Sequence, residues 1–342
     1  MKTKQAPTVL QALNTPDAPL VSVVIVNYNS KRFLQQCIDA LKKTQYPALE
    51  VIIVDNASAD GSAEFLTADY SNDKMITLVL LSRNHGFSLG NNIGARRAHG
   101  KYIVFLNPDT EVDPLWLANA IPHFEADQTI GAAQPKLLRQ DGFFDSSGGF
   151  LTNYGFGWCR DQGNPDKGQN MVSEEIFFAK GAALITRTEL FRRIGGFDPL
   201  FFFFYDEIDL CWRIWMSGTR IIYLPTSLVH HYGSAVLRKH QYYVRYFEAR
   251  GRIIMLMKNH APRNLGYSLL PLLLLGPNLI RQIGYNDGVA AMAMIKGTFW
   301  WIVNFPKIWA ARKKQEAIGL QYLNPLPAKR NIPFGYFSVS QK

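Results

Sequence analysis

The stretch KYIVFLNPDTEV, Lys101–Val112, decides how the chain folds. Tyr102, Ile103, Val104, Phe105 and Leu106 have the length and the β-branched and aromatic content of a strand buried on both faces. Pro108 has no N–H to give to a sheet ladder, so the strand ends before it. Asp109 then falls at the carboxyl edge, where open α/β sheets bind their ligands. A carboxylate there can hold a divalent cation. Asn107-Pro108-Asp109-Thr110 is equally good turn chemistry, and on these residues alone the two readings stand side by side.

Upstream, strands and helices alternate. Val21–Val26 (VSVVIV) predicts a strand, followed by Asn27-Tyr28-Asn29-Ser30 and a helix with Phe33, Leu34, Cys37, Ile38 and Leu41 on one face. Glu50–Val54 predicts the second strand, with a polar loop from Asp55 to Ser62 behind it. A third strand is expected over Ile76–Leu81, then the loop Arg83-Asn84-His85-Gly86 and a helix from about Ser88 to His99 that carries Asn91 and Asn92. Such β-α-β alternation predicts a parallel sheet flanked by helices. The first strand runs into Asn-Tyr-Asn-Ser and not into a glycine-rich turn, which excludes a dinucleotide fingerprint. Gly86, Gly90 and Gly94, four residues apart, predict close packing of a helix.

Downstream of Asp109 the pattern loosens into glycine- and aromatic-rich segments expected to be pocket-shaping loops. Order is expected to return over Phe177–Ile185. Gly195-Gly196-Phe197-Asp198-Pro199 forms a turn before four phenylalanines, Tyr205, and the acids Asp206, Glu207 and Asp209. Acids at a helix start complement its dipole; beside apolar rings they also have the raised pKa that a general base needs. Ile221–Pro225 predicts another strand, and His230-His231 beyond it is either buried structure or a metal ligand.

Composition fixes the class. The chain has 342 residues, 47% of them hydrophobic and 13% aromatic, enough to bury a core and to exclude disorder. Cys37, Cys159 and Cys211 offer neither a disulfide framework nor a zinc site, and the first twenty residues lack a secretory apolar core, so a reducing, cytoplasmic setting is expected. The net charge of +10 is uneven: Val236–Lys342 holds 16 Lys and Arg against three acids, a balance of +13, and residues 1–235 hold 21 against 24, a balance of −3. Within this tail Asn264–Ile280 is uncharged, and Val289–Phe305 adds a second apolar stretch around Lys296. Both are expected to lie in a membrane interface with Arg312, Lys313 and Lys314 near head groups, which puts the protein peripherally on the cytoplasmic face of the inner membrane. Buried helices of a subdomain, or a homodimer contact, are the other uses of such stretches. Basic charge interleaved with Leu, Met and Trp, without a recognition motif, argues against nucleic acid. The expected division is an N-terminal tail over 1–20, an α/β domain over 21–235 and a helical region over 236–342.

Seven segments, VSVVIVNYNS, EVIIVDNASADGS, RNHGFSLGNNIGA, FLNPDTEV, FFAKGAALITR, GGFDPLFFFFYDEIDLCWR and VHHYGS, together resemble the inverting glycosyltransferases of family 2, and among them the rhamnosyltransferase-like bacterial enzymes. The resemblance covers about Val21–Ser234 and implies a GT-A fold, with a Rossmann-like nucleotide-binding half. It implies that Asn27, Asn29 and Asp55 hold the nucleoside, that Asn84 and Asn91 line the nucleotide side, and that Asp109 is the last acid of an Asp-X-Asp motif whose first position is Asn107. With one carboxylate fewer there, Mg²⁺ or Mn²⁺ depends more on the diphosphate, water and His230. Glu207 falls at the base position, but the family's Glu-Asp order is inverted here, so Asp206 stays a second candidate. Asp209 falls at the third acid, implying acceptor contact or support of the base. The implied donor is dTDP-rhamnose ahead of a UDP-sugar, the acceptor a saccharide or lipid-linked saccharide. A non-catalytic sugar-nucleotide-binding protein is the alternative that Asn107 and the inverted pair leave open.

Overall fold

The computed structural model describes residues 17–152, 155–233, 241–269 and 288–323. Expectations for Ser234, for the start of the tail near Arg238, for most of the N-terminal tail and for Leu270–Ile280 fall outside the described residues.

Strand β1 (Val21–Asn27) leads through helix α1 (Lys31–Lys42) to β2 (Leu49–Asp55), α2 (Ser62–Tyr70), β3 (Ile76–Leu80), α3 (Gly86–Ala95) and β4 (Tyr102–Leu106). These four strands are parallel, in the order β4-β1-β2-β3. The order reverses between β1 and β4, so a crevice opens at their carboxyl ends, and Asn27, Asp55 and Asn107 all sit at that edge. Asp109 lies between β4 and the short β5 (Thr110–Val112).

Beyond it come α4 (Trp116–Ala126), β6 (Ile130–Leu138), β7 (Phe144–Ser146), β8 (Gly149–Leu151), β9 (Gly157–Cys159), β10 (Glu174–Glu175) and β11 (Ala183–Arg187). Helices α5 (Thr188–Arg193) and α6 (Asp206–Met216), strand β12 (Arg220–His231), helix α7 (Gln241–Asn259), a 3-10 segment (Pro262–Leu269) and α8 (Gly288–Ala317) complete the chain. β11 runs antiparallel to β4 and to β6, while β12 runs parallel to β6, so the sheet is mixed. Alternate residues of β1 face two cores: Val24 and Val26 meet α3's side, Val21, Val23 and Ile25 the other.

Two expectations are corrected. The segment after Asp109 is not mainly loop: α4 carries Pro122 within it, and β6 carries Pro135 and the buried polar residues Gln134 and Lys136, which hide both elements from pattern reading. Pro225 does not end a strand, because β12 continues past it by a register shift between Leu224 and Leu228. The glycines of α3 do what their spacing predicts. A Cβ on Gly90 would come within 2.9 Å of Val26 Cγ1, and one on Gly94 within 2.4 Å of Val24 Cγ1.

Gly94→Ala should therefore destabilise the fold by up to about 2 kcal/mol, the overpacking cost of about 1–3 kcal/mol being offset in part by the helix-propensity gain of about 1 kcal/mol. A urea midpoint at or above the parent's, at unchanged slope, would contradict this packing.

Candidate active site

At the end of β1, Asn27 is fully buried and its Nδ2 donates to Asp55 Oδ2 (2.9 Å) and Ser58 Oγ (3.1 Å). Asp55 Oδ1 accepts from the Ser58 N–H at 3.0 Å. Asn27 Oδ1 is buried without a hydrogen bond, an acceptor left over at the crevice. Asn29 and Ala57 are both left-handed, with φ of 52° and 61°, and Asn29 Oδ1 accepts from the Ala59 N–H at 2.7 Å. Non-glycine residues rarely adopt that conformation, and such strain clusters at ligand edges. Asn27, Asn29 and Asp55 are thus brought together in one network.

Asn56, which carries no role in the sequence reading, shapes the next loop. Its Nδ2 donates to Asn84 Oδ1 (3.0 Å) and the Gly86 carbonyl (3.1 Å), and its Oδ1 accepts from the His85 N–H (2.8 Å). Asn84 is therefore a member of the loop's own scaffold. Asn91 is buried and donates back to the Phe87 carbonyl within α3 at 3.0 Å. Its neighbour Asn92 clamps the Gly196-Phe197 turn by accepting from the Phe197 N–H and donating to the Phe197 carbonyl. Asn107 donates its N–H to the Ala182 carbonyl at 3.0 Å, and its own carbonyl accepts from Thr110 Oγ1 at 2.7 Å, which fixes the turn that presents Asp109.

His231, not His230, faces Asp109. The two are consecutive in β12, so they point to opposite faces. His231 Nε2 stands 3.3 Å from Asp109 Oδ1, and Nδ1 is 2.8 Å from Asp145 Oδ2. His230 pairs in register with Glu111 and Leu138 and buries Nδ1 elsewhere. Burial opposes the charged form of His231, yet hydrogen bonds and charges from Asp109 and Asp145 outweigh it and hold the imidazole up at about 9. Asp145 is itself buried, which favours its neutral form; Lys180, whose Nζ is 2.5 Å from Oδ1, and His231 overcome this and keep the carboxyl well below the usual range. Among the described residues no three or more His, Cys, Asp or Glu side chains converge on one point as a metal cage. Asp109 and the Nε2 side of His231 are instead a two-group edge, which would take a cation once the imidazolium gives up its Nε2 proton. That fits a cation held by few protein groups, such as Mg²⁺ or Mn²⁺ shared with substrate phosphates.

The acids of α6 separate in role. Asp206 is buried and its Oδ2 accepts from Ser88 Oγ of α3 at 3.0 Å. Glu207 turns toward the segment before β11: a Cβ on Gly181 would lie 3.8 Å from Glu207 Cβ. Burial raises the pKa of both carboxyls, and Asp206's charge and hydrogen bond push Glu207 well above the ordinary range. Asp209 does not reach an acceptor. It is fully buried, with Oδ2 accepting from Arg213 Nε (2.9 Å) and Nη2 (2.8 Å), and Oδ1 held by Lys258 (2.9 Å) and Asn259 (3.0 Å) of α7. Asp145 had no signal in the sequence; Lys180 lay inside FFAKGAALITR without a role.

An α/β sheet with amide, carboxylate and imidazole groups gathered at its switch point has the GT-A-like architecture of nucleotide-sugar enzymes. Residues 22–195 match the family model Glycosyl transferase family 2, and the chain belongs to that family. It is 29% identical over 224 residues to the O-antigen biosynthesis protein RfbC of Myxococcus xanthus, covering 62% of this chain and 17% of that protein. The chain spans at most 38% of this and of three further curated relatives. Two solved structures share the fold: the mannosyltransferase PcManGT of Pyrobaculum calidifontis in complex with GDP-Man and Mn²⁺ (TM-score 0.52, 20% identity, 91% of each chain) and GalNAc-T7 with UDP, GalNAc and Mn²⁺ (TM-score 0.58, 16% identity, 92% of this chain and 60% of that one).

Asp109→Ala and His231→Ala should each abolish the Mn²⁺-dependent part of nucleoside diphosphate binding, while His230→Ala keeps it. Calorimetric titration with and without Mn²⁺ checks this; equal losses at the two histidines would refute the assignment to one face of β12.

Proposed function

We propose that the chain is an inverting glycosyltransferase, moving a sugar from a nucleotide-sugar donor to a hydroxyl of a saccharide or lipid-linked saccharide in cell-surface polysaccharide synthesis. The observation that carries the reading is the continuity of the site. Asp109, His231, Asp145 and Lys180 form one connected charged line, and Gly181, next to Lys180, lies against Glu207. A pair suited to a diphosphate-bound cation and a carboxyl of raised proton affinity thus flank one crevice.

In this reading Asn27, Asn29 and Asp55 orient the nucleoside, Asn27 through its unused Oδ1. A divalent cation held by Asp109 and His231 would supply neutralisation of the charge that develops on the diphosphate. Ionised Glu207 accepts the proton of the acceptor hydroxyl as that oxygen bonds to the anomeric carbon and the bond to the diphosphate breaks. One displacement inverts the centre. Rhamnose from dTDP-rhamnose is the favoured donor, with UDP-sugars behind, and a panel of sugar nucleotides scored by protection against thermal unfolding tests the order.

The tail supports a second element of the reading. The outer face of α8 exposes Val289, Met292, Phe299, Ile302, Val303 (80% exposed) and Trp309, with Lys296 and Lys307 among them. Apolar area and lysines together suit the surface of an anionic membrane, on the cytoplasmic face of the inner membrane. Arg312 is not part of that surface. It is 1% exposed and its Nη1 donates to the Met257, Lys258 and His260 carbonyls, capping α7. No helix among the described residues is long and apolar enough to cross a membrane.

Glu207→Gln should lower single-turnover transfer by about 10²–10⁴-fold with little change in donor affinity, as expected of a general base. Because the base must be ionised, the parent's rate is full above the raised apparent pKa of the acid pair and is lost as pH falls through it. Asp206→Asn should cost less rate and move that limb to lower pH, since it removes the neighbouring charge. A dead Asp206→Asn beside an active Glu207→Gln would reverse the assignment. For the tail, Ile302→Glu with Val303→Glu should leave the protein in the supernatant of anionic liposomes that sediment the parent at low salt; a parent that does not sediment removes the membrane element.

A further inference from the structure

We propose that α7 is the positioning element of the base: Gly251, Lys258 and Asn259 hold the head of α6 so that Glu207 stays turned to Gly181. The turn before α6 is unusual. Phe204 and Tyr205 are both left-handed, with φ of 64° and 65°, a conformation that bulky aromatic residues avoid unless their surroundings enforce it. The next two residues are Asp206 and Glu207. What enforces the turn is α7. It crosses so closely at Gly251 that a Cβ there would come within 2.9 Å of the Phe204 carbonyl and 3.0 Å of Tyr205 Cβ.

Two helical turns further on come charges. Lys258 is 1% exposed and bonds at once to Asp198, ahead of the phenylalanine run, and to Asp209, in the first turn of α6 (2.9 Å). It thereby clamps the strained turn from both sides. Asn259 adds a bond to Asp209 Oδ1 at 3.0 Å, and Gln315 of α8 donates to Asn259 Oδ1 at 3.0 Å. A buried cation with two carboxylate partners has little freedom to move, because each displacement leaves a charge unpaired. The base is thus seated by a helix outside the sheet domain that carries the nucleotide crevice.

Two substitutions test this, neither leaving a buried charge alone. Gly251→Ala adds a methyl against the Phe204 carbonyl, and Asn259→Ala removes one bond to Asp209. The first readout needs no turnover: the carbon-13 carboxyl titration of Glu207 in the unliganded protein, assigned by its loss in Glu207→Gln. The groups facing Glu207 are Asp206 and Cys211 on α6, Tyr205 in the turn, Lys180 before β11 and Cys159 on β9, and none of them is altered. Gly251→Ala should lower the Glu207 midpoint by about one pH unit as burial is lost. It should also cut single-turnover transfer about tenfold or more, with donor affinity held within about twofold. Asn259→Ala should shift both in the same direction by less. Folded variants with the parent's midpoint and rate would overturn the proposal, as would failure of both to fold, which would make α7 a scaffold of the whole domain. If only one folds, it decides. The rate readout rests on the transfer reading; a parent that turns over no sugar nucleotide would defeat that reading alone, and the midpoint shift would still decide the role of α7.

Discussion

The site depends on Asp145. A buried carboxylate is costly unless it is paired and hydrogen-bonded, and this one holds two cations, Lys180 on one oxygen and His231 on the other. The three residues come from β7, from the segment before β11 and from the end of β12, so one ionic contact ties together the second half of the sheet. Through His231 it also fixes Asp109, which the first half supplies at the end of β4. Neither half presents the Asp109–His231 edge without the other.

The crevice opposite is built by amides, and the difference is physical. Asn56 and Asn92 each give and accept, Asn84 accepts from the Gly86 N–H and Asn27 donates to Asp55, so they fix these loops without adding charge at the sheet edge. Left-handed residues stand on both sides of the crevice, Asn29 and Ala57 in the nucleotide loops and Phe204 and Tyr205 before the acids. In each case neighbouring hydrogen bonds or packing hold the chain in a shape it would not otherwise keep.

The helical region is bound into this arrangement more closely than its composition suggests. Its basic residues divide by burial: Lys258 and Arg312 are inside, pairing acids and capping α7, while Lys296 and Lys307 are exposed on α8. A Cβ on Gly297 of α8 would come within 2.3 Å of the Tyr246 carbonyl, so the two helices cross with backbone almost in contact. α8 packs on α7, and α7 packs on α6.

The sequence by itself determined the parallel half of the sheet, because buried parallel strands are continuous apolar runs and Val21–Val26, Glu50–Val54 and Tyr102–Leu106 are such runs ended by polar or proline residues. It also determined the helix contact at Gly90 and Gly94 and the candidates Asn27, Asp55, Asp109 and Glu207. It could not determine the elements holding Pro122 and Pro135, or the run of β12 beyond Pro225, because the local signals argue against the helix or strand that tertiary pairing enforces. Nor could it choose between His230 and His231, since adjacent residues differ only in the face of β12 they occupy, and a register is set by the partner strand. Asp145, Lys258 and Arg312 look like ordinary surface charges along the chain, and Asp209 like an acid open to an acceptor. Only the tertiary structure brought each within reach of its partner across tens of residues, and it is that pairing that made their burial tolerable and gave them their roles.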